Sequence, residues 1–435
     1  MSKQTAPRLP LAIASGNSVL NWNLMSVVVH APGLVMTEHE FSVPLDHDRP
    51  DGDRISVFAR EVADPEGTDR PFLVFFEGGP GIEAPRPTRL PTSPSWLDRA
   101  LREYRVLMLD QRGTGRSTPV GSLGGLTPTE QANYLKCFRA DSIVRDAEII
   151  RSELGVGQWS ILGQSFGGFC ALNYLSAAPQ SLREAFFAGG LPPIGKHPDE
   201  VYRATYTRMI DRNRRFYQRY PADLARVEAL IRTLKSEDRR LPGGDRLTPR
   251  RFRQVGYWLG MSDGAERLHY LLELPLHSSA FLNDIEAALP FVRNPIYAVI
   301  HEASYADGTD TRWAAARLMP PEYQDRPELF TGEHVFPWMF EDYGALTPLR
   351  DAANLLAQHV WPRLYDPVRL RRNDVPCSAA IYLDDPYVEH RYSAETARLI
   401  RRMRTWETNE FEHNALRAHG DRLLDRLIAL ARSTA

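Results

Sequence analysis

From residue 34 onward the chain settles into regular alternation. Residues 39–45 (HEFSVPL) and 54–60 (RISVFAR) alternate apolar and polar positions on either side of the turn-rich DHDRPDGD, the pattern of a hairpin. Two uninterrupted apolar runs follow, FLVFF at 72–76 and RVLML at 105–109, which suit strands buried on both faces of a parallel sheet. The first ends in EGGPG (77–81) and the second in DQRGTGRS (110–117), both glycine-rich loops. Helical text at 127–138 and 142–154 separates the second loop from a short strand at 159–162, a buried helix at 166–175 and a further strand at 185–188. Strands and helices therefore alternate as in βαβ units.

Beyond residue 193 the texture changes. Residues 202–219 are rich in Arg and Tyr, 224–234 read as an amphipathic helix, and 258–274 mix aromatics with Leu, with no strand-like apolar run among them. Strand text resumes only at 378–383, ends in Asp384-Asp385, and is followed by a helix at 394–403, a short strand at 405–408, the tripeptide Glu412-His413-Asn414 and a final amphipathic helix at 422–431. The expected division is an N-terminal segment of uncertain order (1–33), a first core part (34–192), a mainly helical insertion (193–372) and a second core part (373–435).

Composition narrows the classes of function. A chain of 435 residues with 43% hydrophobic and 25% charged residues reads as a soluble globular protein. Its formal charge of −2 gives no electrostatic reason to expect nucleic acid or a membrane surface as partner. Cys137, Cys170 and Cys377 are too widely spaced for a disulfide framework or a zinc site, so no metal is expected and a reducing, cytoplasmic location is. The apolar stretch at 9–14 is too short for a secretory core, and no run reaches membrane length.

The chemistry centres on GQSFGG, residues 163–168. A Ser between two Gly, after a strand and before a helix, sits on a sharp turn that only small neighbours allow the backbone to close, which exposes Ser165 Oγ as a nucleophile. Acyl transfer then needs a base, an acid that holds the base in the right tautomer, and donors for the oxyanion. His413, after the last strand, is the candidate base, and Asp384 and Asp385 compete for the acid. The order Ser, Asp, His is that of α/β-hydrolases. The fold expected is therefore α/β, a mostly parallel α/β-hydrolase sheet with a large helical cap inserted before the last strands. The backbone N–H of Phe166 and one from the loop at 78–81 would form the oxyanion hole; Pro80 has no N–H, which favours Gly79.

EGGPG, DQRGTGRS, GQSFGG, DDPYV (384–388) and EHN (412–414) together resemble the proline iminopeptidases, in their longer form, from about residue 34 to the C-terminus. The resemblance implies Ser165, His413 and Asp385 as nucleophile, base and acid, no cofactor, and short peptides with N-terminal proline as substrates. It also implies cap glutamates that hold the substrate's free amine. Glu302 (in HEASY) and Glu333 (in TGEHVFPW) lie among aromatics and carry that expectation, with Tyr305, Phe336 and Trp338 as walls of a slot for the pyrrolidine ring. One departure is Glu77, where many members have His or Gln. A cap-bearing esterase or amidase and, more distantly, a non-catalytic binding protein are the rival readings.

Overall fold

The structure, a computed structural model, describes residues 27–433. The stretch 9–14 and most of the N-terminal segment expected at 1–33 lie outside the described residues. The described part of that segment begins with an edge strand, β1 (Val27–Ala31), paired antiparallel to β2 (Leu34–Pro44), so the ordered sheet starts earlier than expected.

A nine-stranded sheet organises the molecule. Its other members are β3 (Arg54–Ala63), β4 (Phe72–Phe76), β7 (Arg105–Leu109), β8 (Trp159–Gln164), β9 (Leu182–Ala188), β10 (Cys377–Tyr382) and β11 (Met403–Thr408). The two-residue strands β5 (Thr88–Arg89) and β6 (Thr92–Ser93) pair separately. The order is β1-β2-β3-β7-β4-β8-β9-β10-β11, antiparallel as far as the β3–β7 pair and parallel from β7 onward. The continuous apolar runs follow from burial on both faces. In β4, Phe72, Val74 and Phe76 enter one core layer, while Leu73 and Phe75 enter the other. The first layer packs against the helices Ala140–Glu153 and Phe166–Ala177, the second against Leu97–Leu101 and Gly420–Arg432.

Because β7 lies on one side of β4 and β8 on the other, the chain reverses its direction of travel across the sheet at β4. Loops leaving the carboxyl ends of β4 and β8 face each other there, the place where open α/β sheets bind ligands. Between β9 and β10 the described chain adds no strand to this sheet. Its helices run from Pro198–Arg219 to Pro367–Arg371, and their apolar side chains merge with the first core layer.

Candidate active site

Ser165 sits between β8 and the helix Phe166–Ala177 with φ 52° and ψ −121°, a conformation that side-chain-bearing residues rarely adopt. The turn closes because its neighbours are glycines: a Cβ on Gly163 would lie 2.4 Å from the Gly167 carbonyl oxygen, and one on Gly167 1.9 Å from that of Phe76. The Oγ of Ser165 is 2.8 Å from Nε2 of His413, and His413 Nδ1 is 2.7 Å from Oδ2 of Asp385. Each of these side chains leaves the carboxyl end of a parallel strand, β8, β11 or β10, so a common sheet edge brings together residues far apart in sequence.

The adjacent aspartates separate cleanly. Oδ1 of Asp385 accepts the N–H groups of Tyr387 and Val388 at 2.8 and 3.1 Å, which fixes the carboxylate and aims Oδ2 at the histidine. Asp384 points the other way and pairs with Arg215 at 3.0 Å, and that guanidinium holds its carboxyl below the usual aspartate range. The loop carrying His413 is tied to the helical insertion: its N–H donates to the Gly260 carbonyl at 3.0 Å, and Asn414 Oδ1 accepts from the Ser262 N–H at 2.8 Å. Burial pulls the His413 pKa down, but the charges of Asp385 and Glu333 outweigh it, and the net shift is upward.

Gly78 and Gly79 line the same chamber as Ser165. The Gly78 N–H is occupied by Oε1 of Glu77 at 2.7 Å, whereas no acceptor among the described residues is paired with the N–H of Gly79 or Phe166. The carboxylate of Glu77 faces Arg417 at 3.5 Å, so this acid carries its own counter-ion.

Above the serine, the insertion closes a chamber with about 30 Å³ of open space, by that measure room for about two waters. Its walls include Tyr257, Met261, Tyr297 and Glu333 from the insertion and Tyr387 from the loop after β10. Tyr387 sits edge-on to the His413 ring at 5.1 Å and stacks on Tyr257 at 5.8 Å. Glu333 Oε2 accepts from the Tyr297 hydroxyl at 3.1 Å, and Oε1 is 3.4 Å from His301 Nε2. Burial would raise the pKa of Glu333, but His301, the His413 charge and the Tyr297 hydroxyl together hold it below the usual glutamate value. A half-buried carboxylate kept ionised beside the serine is a ready partner for a cation.

The other cap expectations need correction. Glu302 does not line the chamber: it accepts the N–H groups of Ala314 and Ala315 at 3.1 and 2.9 Å, capping the short helix Ala314–Arg317. Tyr305 lies behind the wall, donating to the Tyr387 carbonyl at 3.3 Å and packing edge-on against Phe169. Phe336 and Trp338 stack on each other at 5.5 Å, with Arg250 over the indole, and neither borders the chamber. In their place stand Tyr257, Tyr297 and Tyr387. Tyr387 lies within the DDPYV motif, but nothing local distinguishes the other two from core tyrosines.

Sheet order, strand-end side chains and the serine turn define an α/β-hydrolase. A profile described as the alpha/beta hydrolase fold matches residues 71–416. A proline iminopeptidase of Aeromonas sobria is 48% identical over 92% of this chain and 97% of its own length. The proline iminopeptidase aneH of Aspergillus aculeatus is 34% identical over 92% of this chain and 94% of its own. The chain belongs to the proline iminopeptidase family of α/β-hydrolases.

Proposed function

We infer that this protein is a serine exopeptidase that releases N-terminal proline from peptides. The observation that carries the reading is Glu333, a half-buried carboxylate held below the usual glutamate range in a narrow chamber shared with Ser165 and His413. A free substrate amine, cationic at neutral pH, would bind Glu333 through a charge-assisted hydrogen bond and set the first carbonyl against the serine. The name carried by both full-length relatives supports proline as the first residue.

In this reading His413 Nε2 takes the Ser165 proton as Oγ attacks the carbonyl carbon, and Asp385 holds the imidazole by its Nδ1–H and stabilises the imidazolium. The N–H groups of Gly79 and Phe166 bind the oxyanion. Collapse breaks the C–N bond, and His413 passes its proton to the leaving nitrogen. Water, activated by the same histidine, then hydrolyses the prolyl ester.

Turnover of a panel of aminoacyl-naphthylamides and their N-acetylated counterparts tests the reading. Proline is expected to be preferred, acetylation to abolish turnover, and Ser165→Ala to lose several orders of magnitude in kcat while folding normally. Equal rates on acetylated substrates, or fast cleavage of short acyl esters alone, would instead make the protein a cap-bearing esterase.

A further inference from the structure

Beside the catalytic chamber runs a second, much larger and more open concavity, of about 1090 Å³. Chamber and groove share Ile82, Tyr257, Met261, Asn414 and Arg417 in their walls, so they adjoin. Glu333, Tyr297 and Tyr387 line the chamber only. The groove therefore lies on a different side of the serine from the carboxylate that would take the amine.

Which side follows from Asn414. It is the residue after His413 and borders both spaces, so the groove opens on the histidine side. In serine acyl transfer the imidazole that took the nucleophile's proton must return it to the leaving nitrogen, so the leaving group lies on that same side. The wall is mixed in character: Trp258 and Leu289 are apolar, Asn283 is neutral and polar, and Asp263 and Arg267 are of opposite sign. Arg293 and Arg417, also at the rim, already face Glu83 and Glu77. No field of one sign results, and the surface suits a peptide backbone with varied side chains. The volume lies just above the roughly 300–1,000 Å³ that holds a drug-sized ligand, enough for several residues.

We propose that this groove binds the leaving part of the substrate, an extended peptide of several residues after the proline, and that the enzyme thereby selects peptides over prolyl amides by length. The inference rests on the exopeptidase reading above. It assigns the groove wall formed by the helix Ser279–Ala288, which is otherwise without a role in the reaction.

Ala287 and Asn283 are exposed on that helix one turn apart and line the groove, so a large side chain at either fills it without entering the core. The experiment compares kcat/KM for prolinamide and for Pro-Ala, Pro-Ala-Ala and Pro-Ala-Ala-Ala-Ala in wild type, Ala287→Trp and Asn283→Trp. Wild type is expected to gain about tenfold or more with length, the equivalent of at least one good contact. Both variants are expected to lose that gain, chiefly through KM, and to keep prolinamide turnover within about twofold. Turnover of prolinamide with no gain on longer peptides in wild type, or variants that keep the full wild-type gain with length, overturns the groove assignment while leaving the exopeptidase reading intact. Absence of turnover on every prolyl substrate overturns both.

Discussion

Oε1 of Glu333 lies 3.4 Å from Nε2 of His301, and Glu333 stands with Tyr257, Tyr297 and Tyr387 in the wall of the chamber that Ser165 also lines. His301, with the Tyr297 hydroxyl, helps to hold the Glu333 carboxyl below the usual glutamate range at the border of that chamber.

Glu333→Gln removes a charge-assisted hydrogen bond in a desolvated site, worth roughly 2–4 kcal/mol. The expected loss in kcat/KM for prolyl amides is about 30- to 1000-fold, against little loss on an uncharged activated ester. Glu302→Gln should leave the ratio of the two substrates unchanged, because that carboxylate is spent on Ala314 and Ala315. An equal loss on amide and ester in Glu333→Gln would show that the residue supports the cap and does not bind the amine.

Asp385→Asn should reduce kcat by a factor on the order of 10⁴. The amide keeps the Tyr387 and Val388 bonds at one atom and turns its NH₂ to the histidine, which stabilises the wrong tautomer. Asp384→Asn breaks only a partly exposed pair with Arg215 and should cost at most about 1 kcal/mol of stability with kcat nearly unchanged. Steady-state kinetics with thermal melts distinguish them, and the reverse ranking would transfer the role to Asp384.

In the proposed mechanism His413 must be neutral to accept the Ser165 proton, so activity is expected to rise with pH through its titration. Burial lowers that pKa, while Asp385 and Glu333 raise it by more, and the acid limb of kcat/KM is expected above the ordinary 6.5. Glu333→Gln deletes one of the raising charges. Its pH profile, followed on an activated ester, should therefore shift to lower pH than wild type, and an unmoved limb would mean that the two residues do not interact.

The sheet and the serine turn were legible because local sequence dictates them. A run such as FLVFF needs two apolar layers, and Gly163 and Gly167 leave Ser165 only one way to turn. His413 and Asp385 were legible for a related reason, since each follows a strand and the sheet edge does the rest. The tyrosines of the chamber wall were not. Tyr257 and Tyr297 come from separate turns of the insertion, and helix packing alone brings them beside Glu333, which the family resemblance singles out. Glu302 and Glu333 share an aromatic setting in the sequence, yet one caps a helix and the other faces a cavity. Phe336 and Trp338 satisfied each other, a contact that composition cannot distinguish from a binding slot.

Glu302 carries a consequence for stability. It is 6% exposed, and burial pushes its pKa up to about 7 although the two N–H bonds from Ala314 and Ala315 pull downward. The unfolded chain titrates this group near 4.5, so between the two values the folded state holds a proton that the unfolded state has lost. Its contribution is therefore fully present below about pH 4.5 and is lost as pH rises through 7, a change on the order of 3 kcal/mol. Glu302→Gln cannot ionise and lacks that slope, whatever constant cost the amide adds at the helix end. Urea midpoints for both proteins at pH 5 and pH 8 measure the effect, because groups common to the two cancel in the comparison. Wild type should lose stability relative to the variant at the higher pH; a difference that stays the same at both would show that Glu302 is already ionised at pH 5.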